Sequence, residues 1–452
     1  MNYGLMKKVK PSFLSRFLNQ TRIIVLSFLL AILIGALFLA LPVSHNGELS
    51  FLNALFTATS ATCVTGLTTV SLSTSLTLFG QIIVLLLVQI GGMGFMTLAS
   101  ATFVLVGKRF TLRERLNMRD YLYENDMSVL GSLALRVVKF TLVIETVGAV
   151  LLSIAFSFDY SPGYAIFYGI FHSVTAFCNA GLDIIPGNES MLVYSQKPLV
   201  LLILSFLIIL GGIGFIVIGD MVKARKWKKL RIESKIVLTM TGALILIGAL
   251  VFLISDYDYA LKGMSFGDKL VNSLFLSVST RTAGFSTLPI ESFSPLSRNI
   301  MIILMFIGAA PGSTGGGIKI TTTFVLLVWI IATLRNRKTT VIGMRKVGNE
   351  VKAKASTILV LAIVTVMLAL SLLLIFDGDT FTYEQLLFEV VSAYATVGLS
   401  MGVTGALSLG SRLVIIVVMF MGRVGAYTLL AVASRPKNET EKITYPEFNI
   451  MM

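Results

Sequence analysis

Four glycines recur in matching surroundings along the chain, and they suit one kind of chemistry, the coordination of a cation by backbone carbonyls. The segments read LNALFTATSATCVTGL, YGIFHSVTAFCNAGL, NSLFLSVSTRTAGF and QLLFEVVSAYATVGL. Their last glycines, Gly66, Gly181, Gly284 and Gly398, are spaced by 115, 103 and 114 residues. Ten positions earlier stand Phe56, Phe171, Leu274 and Phe388; five earlier, Ala61, Ala176, Ser279 and Ala393; one later, Leu67, Leu182, Phe285 and Leu399. Glycine permits conformations that turn successive carbonyls to one side. Such oxygens can replace the water shell of a dehydrated monovalent cation. The residues before the glycines, Thr65, Ala180, Ala283 and Val397, differ freely, as they can when the ligands belong to the main chain.

A second glycine pattern follows, its first glycine 24–30 residues after each of these: IGGMGF from Ile90, LGGIGF from Leu210, IGAAPG from Ile307 and MGRVGA from Met421. In the third copy it opens the run GAAPGSTGGGIKITTT. Pro311 and the surrounding glycines cannot continue a helix cheaply, so this span is expected to break. Gly312 and Gly317 have the spacing of a phosphate-binding loop, but Ile318 holds the required lysine position and the setting is apolar, which excludes nucleotide binding. Arg423 aligns with Gly92, Gly212 and Ala309, placing a charge inside an apolar helix, where it is costly and by default functional. It is expected to hydrogen-bond the carbonyls of the broken segment or to repel cations there. Lys319 is expected at the cytoplasmic edge.

Other titratable residues give weaker signals. Glu145 is expected to pair with a neighbouring helix, Asp183 and Glu389 to draw cations to the mouth, and Arg281 either to repel them there or to sit on a solvated rim. Cys63 and Cys178 fit packed positions without reactivity. With two histidines, His45 and His172, two cysteines and no metalloprotease motif, nucleophile elbow or histidine–carboxylate cluster, the chain offers no enzyme chemistry and no histidine metal site.

The elements that must carry these loops are membrane helices. The 452 residues are 55% hydrophobic and only 13% charged, about half the charge of a soluble domain, and the mean hydropathy is +0.87. Apolar stretches near 23–43, 77–106, 137–157, 198–218, 236–254, 299–333, 356–376 and 411–432 are long enough to span. The first is too long for a signal-peptide core and lacks a small-residue cleavage site. Of 37 Lys and Arg, 27 fall in the two termini and the alternate connections, and six on the other side. This predicts cytoplasmic termini. It also explains the net charge of +14 by topology, with anionic membrane lipid as a partner and no nucleic acid.

Between the spans, each glycine-bearing segment holds about a dozen apolar residues, too few to cross and therefore a re-entrant helix. The expected architecture is an all-α integral membrane protein of four tandem span–pore helix–span repeats, eight transmembrane helices and four re-entrant helices around a central pore. Its divisions are an N-terminal arm 1–22, repeat 1 at 23–106, a loop 107–134, repeat 2 at 135–220, a loop 221–235, repeat 3 with its broken second span at 236–334, a loop 335–354, repeat 4 at 355–433 and a tail 434–452. Re-entrant helices would aim their negative C-terminal ends at the axis, which favours cations.

This fourfold plan resembles the potassium-transporting superfamily that includes TrkH, KtrB and plant HKT transporters, over about residues 20–435. The chain opens on the first repeat, like KtrB and its paralogue KtrD. The resemblance implies a potassium selectivity filter in segments 62–67, 177–182, 280–285 and 394–399. Its members would be Cys63, Val64, Thr65 and Gly66; Cys178, Asn179, Ala180 and Gly181; Arg281, Thr282, Ala283 and Gly284; and Ala395, Thr396, Val397 and Gly398, with potassium at their carbonyls. Members with serine in the first loop are sodium-selective, so Gly66 points to potassium. The resemblance further implies that Gly308, Ala309, Ala310, Pro311, Gly312, Ser313, Thr314, Gly315, Gly316 and Gly317 form an intramembrane gating loop with Arg423 as its partner. It implies a homodimer in a bacterial cell membrane, seated on a cytoplasmic ring of RCK-type (KtrA/KtrC-like) subunits that carry ATP or ADP, with no cofactor in this chain. A sodium-coupled potassium symporter on the same fold is the alternative.

Overall fold

The structure is a computed structural model that describes residues 20–94, 130–186, 191–337 and 339–433. Four helices open the repeats: α1 (Gln20–Leu39), α4 (Leu130–Phe156), α8 (Ile232–Ser255) and α12 (Asn349–Asp377). Each is followed by a shorter helix packed against it: α2 (Phe51–Cys63), α5 (Pro162–Phe177), α9 (Phe266–Ser279) and α13 (Tyr383–Ala395). At 13–16 residues and 1.5 Å per residue, the short helices reach about 20–24 Å, less than the roughly 30 Å of a bilayer core. Their starts are set locally. Ser50, Ser265 and Thr382 accept from the third residue on, Gln385 completes a capping box, and Pro162 opens α5.

Burial divides the two sets. Phe56, Phe171 and Phe388 of the short helices are fully buried. The opening helices instead expose large apolar side chains such as Leu33, Val147, Leu250 and Leu368, as a lipid-facing surface requires. Among the described residues, Leu135–Phe156, Ile232–Ser255 and Asn349–Asp377 are single helices long and apolar enough to cross a membrane.

The closing helices depart from expectation. Sequence predicts one broken span, in repeat 3; repeats 2 and 4 break as well. Helix α3 (Leu78–Met93) stops at Gly94, φ 76°. Helix α6 (Pro198–Gly212) gives way at Gly214, φ 89°, to α7 (Phe215–Ala224), bent from it by 95°. In repeat 3, α10 (Pro295–Phe306) leads into an irregular segment with Gly312 at φ 65° before α11 (Ile320–Leu334). Helix α14 (Leu409–Val424) turns at Gly425, φ 90°, into α15 (Ala426–Ala433). Gly94, Gly214 and Gly425 hold the same register in the second glycine pattern, and in repeat 3 that position is Pro311, one residue before Gly312. A residue at positive φ cannot continue an α-helix, so the fourth position after Ile90, Leu210 and Met421 interrupts the helix at a glycine; after Ile307 the same position is Pro311, inside the irregular segment.

Past α11 a two-stranded hairpin, β1 (Val341–Ile342) and β2 (Arg345–Lys346), turns on Gly343 and Met344, both at positive φ. This is the two-residue turn whose twist matches paired strands. The N-terminal arm up to residue 19, the 95–106 end of the second span of repeat 1, the 107–129 part of the first loop, residues 187–190, the tail and Lys338 lie outside the described residues.

Candidate functional site

The four short helices deliver their C-terminal loops to one place. A Cβ built on Gly66 would lie 2.6 Å from the Ala180 carbonyl oxygen, 3.3 Å from Gly181 Cα and 3.2 Å from Gly398 Cα. A Cβ on Gly181 would collide with the Ala283 oxygen, one on Gly284 with the Val397 oxygen, and one on Gly398 with the Thr65 oxygen, each more tightly than at Gly66. The loops therefore close a ring in the order 66, 181, 284, 398 and back to 66. In each contact, the carbonyl of the residue before a glycine faces the neighbouring glycine. No side chain fits there, which explains the identity of all four residues.

Backbone handedness alternates around this ring. The glycines have φ of 100°, 62°, 82° and 97°, and two residues before each stand Val64, Asn179, Thr282 and Thr396, at 57°, 59°, 75° and 50°. Left-handed Val and Thr are costly for β-branched chains, and nothing in the sequence pattern announces them. The amides turn back on the parent helices: Thr65 N–H to Ser60 O at 2.8 Å, Ala180 N–H to Thr175 O at 2.7 Å, Gly284 N–H to Ser279 O at 3.2 Å and Val397 N–H to Ser392 O at 2.9 Å. The hydroxyls of Ser60 and Ser392 also accept from Gly66 N–H and Gly398 N–H, at 3.0 and 3.1 Å. These serines were missed in the sequence; a hydroxyl six residues before the glycine, as at Ser60, Thr175 and Ser392, was the available signal. Among the described residues no hydrogen bond takes the carbonyl of Thr65, Ala180, Ala283 or Val397, which leaves these oxygens for a ligand.

One side of the ring opens into a cavity of about 630 Å³ to which all four glycines contribute. Among the described residues its acidic lining is Asp183, as expected, and Glu291, which sequence reading did not single out, and no Lys or Arg lines it. Glu389 is not at this mouth. It is fully buried behind the fourth loop, accepting from Ser400 Oγ at 2.7 Å and from Thr404 Oγ1, and so holds the 400–404 turn. Arg281 is also misplaced by the expectation of a mouth or rim position. Only 7% exposed, it lines a small internal gap with Thr241, Val278 and Ala309. It stands two residues past the end of α9, and sequence spacing could not tell which way its side chain turns.

The opposite side of the ring is covered by residues 308–319. Thr314 Oγ1 donates to Phe177 O at 3.1 Å, and its N–H reaches Gly211 O at 3.3 Å. Thr282 Oγ1 stands where a Cβ of Gly315 would go, and Thr396 Oγ1 where one of Gly316 would go. The segment thus touches repeats 2, 3 and 4 in succession. Arg423 adds repeat 1: its guanidinium donates to the carbonyls of Thr314 and of Gly91. The segment is also tied to the joint in repeat 2 by Ala310 N–H to Gly212 O at 3.1 Å and Phe215 N–H to Gly312 O at 3.0 Å. Lys319 is no edge residue; its ammonium donates to Gly315 O at 2.7 Å. The chain folds back through Gly308 N–H to Ile318 O, and this carries the lysine onto the loop.

Glu145 pairs across helices as expected, accepting from Gln89 Nε2 at 2.9 Å and facing Cys178 Sγ at 3.8 Å. Both cysteines are buried and free.

The chain is similar over most of its length to known proteins. It is 39% identical over 428 residues, 94% of this chain and 95% of the other, to Ktr system potassium uptake protein B of Bacillus subtilis. It is 35% identical over 442 residues, 96% and 97% of the two chains, to potassium/sodium uptake protein NtpJ of Enterococcus hirae. Its fold matches the crystal structure of the potassium transporter TrkH from Vibrio parahaemolyticus with a TM-score of 0.72, covering 96% of this chain and 87% of that one at 21% identity. The family described as TrkH, cation transport protein, matches residues 5–443. With a ring of free carbonyls between a wide cavity and a covering loop, and a family match over nearly its full length, this chain belongs to the TrkH family of cation transport proteins, which are membrane transporters and not enzymes.

Proposed function

We propose that the chain conducts potassium into the cell through the glycine ring, with the carbonyls of Thr65, Ala180, Ala283 and Val397 as the ligands that replace water. The observation that carries this is the pairing of each carbonyl with the neighbouring glycine, combined with amides that bond backward to their own helices. A rigid ring of this kind selects a cation by the number and placement of its oxygens. The potassium named for the relatives supports the choice of ion. The 308–317 segment is the gate, closed in this conformation, with Arg423 and Lys319 as its pins. The four repeats make eight crossings with cytoplasmic termini, several of them in two pieces joined at the shared glycine.

The Ktr system named for the relative supports a regulatory partner. We place it as a cytoplasmic nucleotide-binding ring beneath a homodimer, driving the gate through α11, which runs from the loop to Arg335 and Arg337. A second reading, sodium-coupled uptake, is favoured by the potassium/sodium name of the Enterococcus relative. Purified protein in liposomes separates the two: potassium entry without any sodium gradient supports the channel, and entry that requires one supports coupling. A preparation that moves neither ion faster than empty liposomes overturns both.

A further inference from the structure

The side chain of Asn179 has no assigned role in a ring made of backbone oxygens, yet it is fully buried where two ring loops, the covering loop and α6 meet. Its backbone, at φ 59°, occupies the left-handed position two residues before Gly181, which asparagine tolerates better than its counterparts Val64, Thr282 and Thr396. With the amide nitrogen turned toward the end of α5, it donates to the carbonyls of Ala176, Phe177 and Ile208 at 3.2 Å each, and the oxygen accepts from Thr282 Oγ1 at 3.3 Å. Thr314 Oγ1 of the covering loop stands 3.3 Å from the amide's nearer atom. In α6 a Cβ on Gly211 would come within 2.8 Å of the amide and one on Gly212 within 3.4 Å. One side chain thus joins the second ring loop, the third ring loop, the covering loop and the joint of repeat 2.

A comparison inside the chain shows what this position is for. The equivalent side chains of repeats 2, 3 and 4 meet successive residues of the covering loop: Asn179 meets Thr314, Thr282 meets Gly315, and Thr396 meets Gly316. Those three are polar. The fourth, Val64, packs near Gly91 of its own repeat, as Asn179 does near Gly211 and Thr396 near Gly422, and it is a hydrocarbon. Polarity follows contact with the loop and not membership of the ring. Among the three, Asn179 is the one whose amide hydrogen-bonds a second ring loop and α6 together.

We propose that Asn179 is the positioning residue through which the covering loop and the carbonyl ring share one equilibrium. The proposal rests on reading the ring as the selectivity filter and the loop as the gate. When Thr314 leaves, the amide loses a neighbour, and its bond to Thr282 is the lever on the carbonyl of Ala283. Coupling of this kind is reciprocal: a cation that prefers the ring's closed-loop geometry also biases the loop. Selectivity and gate opening therefore change together when Asn179 changes.

The test is flux from liposomes holding the full-length protein, read for potassium and sodium separately. Asn179→Gly keeps the left-handed backbone easy and deletes only the amide. It is expected to raise flux of the unstimulated protein and to lower the potassium-to-sodium flux ratio, each by roughly tenfold, about 1.4 kcal/mol of coupling. Thr314→Val is expected to do the same in smaller degree, Thr314→Ser to restore the wild-type ratio, and the double variant Asn179→Gly/Thr314→Val to show no more than the larger single effect. A purely structural role would lower both fluxes in parallel with an unchanged ratio, and that result, or strictly additive effects in the double variant, overturns the proposal. Failure of the filter reading itself is distinguishable, because wild-type protein would then show no preference for potassium to begin with.

Discussion

The guanidinium of Arg423 binds the carbonyl of Thr314, joining residues 109 positions apart in the chain and in different repeats. Because the same side chain also binds Gly91 O, the covering loop is held against the first and fourth repeats by one charge. A charge at this depth is stable only while carbonyls solvate it. The contact is thus a latch whose strength depends on the loop staying in place.

Replacing Arg423 by Gln should release the latch. Hydrogen bonds to a charged group are worth about 1.5–3 kcal/mol each, so losing two of them should raise unstimulated cation flux roughly tenfold or more. Shortening the loop by several residues within 312–317 should have the same sign. Flux assays on folded, membrane-inserted protein decide this; if both changes abolish transport, the segment carries conduction and does not gate it.

Glycine replacements should be graded by the space around them. Gly66 has the most room, with its nearest contact at 2.6 Å against shorter ones at Gly181, Gly284 and Gly398. Gly66→Ser should therefore keep measurable flux while weakening discrimination against sodium, since it adds bulk and a hydroxyl beside the carbonyls. Gly284→Ala and Gly398→Ala should abolish transport. Equal tolerance of all four positions would contradict the closed ring.

The acidic lining of the wide cavity predicts an effect confined to low salt. Glu291→Gln should raise the half-saturating potassium concentration about twofold at roughly 0.01 M ionic strength, and the difference should vanish near 1 M, where the Debye length falls to about 3 Å. Glu389→Gln should behave otherwise, because that side chain braces Ser400 and Thr404 inside the protein. Its loss should lower flux at every salt concentration. Titrating potassium uptake at the two ionic strengths separates these behaviours.

Charge reversal at Arg335 and Arg337 should weaken activation by a cytoplasmic partner while leaving unstimulated flux unchanged, since both residues follow the end of α11 and are exposed. Co-purification of the partner with wild-type and reversed protein measures it directly. A partner that binds and activates both equally would remove this surface from the pathway.

The glycine ring was legible in the sequence because backbone chemistry left four identical residues in register, where a Cβ cannot fit. The break at Pro311 was legible for the same reason, since proline and clustered glycines cannot be helix interior. The joints at Gly94, Gly214 and Gly425 were not: a single glycine in an apolar run reads equally as a packing residue, and only its φ distinguishes the two. The left-handed Val64, Thr282 and Thr396 leave no trace in residue type. Lys319 was misread because its distance along the chain from the broken segment says nothing of the hairpin that folds it back onto Gly315. Glu389 and Arg281 were misassigned because sequence fixes a distance from the glycine but not the direction of the side chain.

The carbonyls of Thr65, Ala180, Ala283 and Val397 are proposed to hold the transported ion. An experimental structure determined in rubidium or thallous salt, located by anomalous scattering, tests it most directly. A peak is expected on the ring axis within coordination distance of those four oxygens, displaced by potassium and not by an equal concentration of sodium. Flux-competent protein with no ion at the ring, or with its ion held elsewhere by side chains, would contradict it.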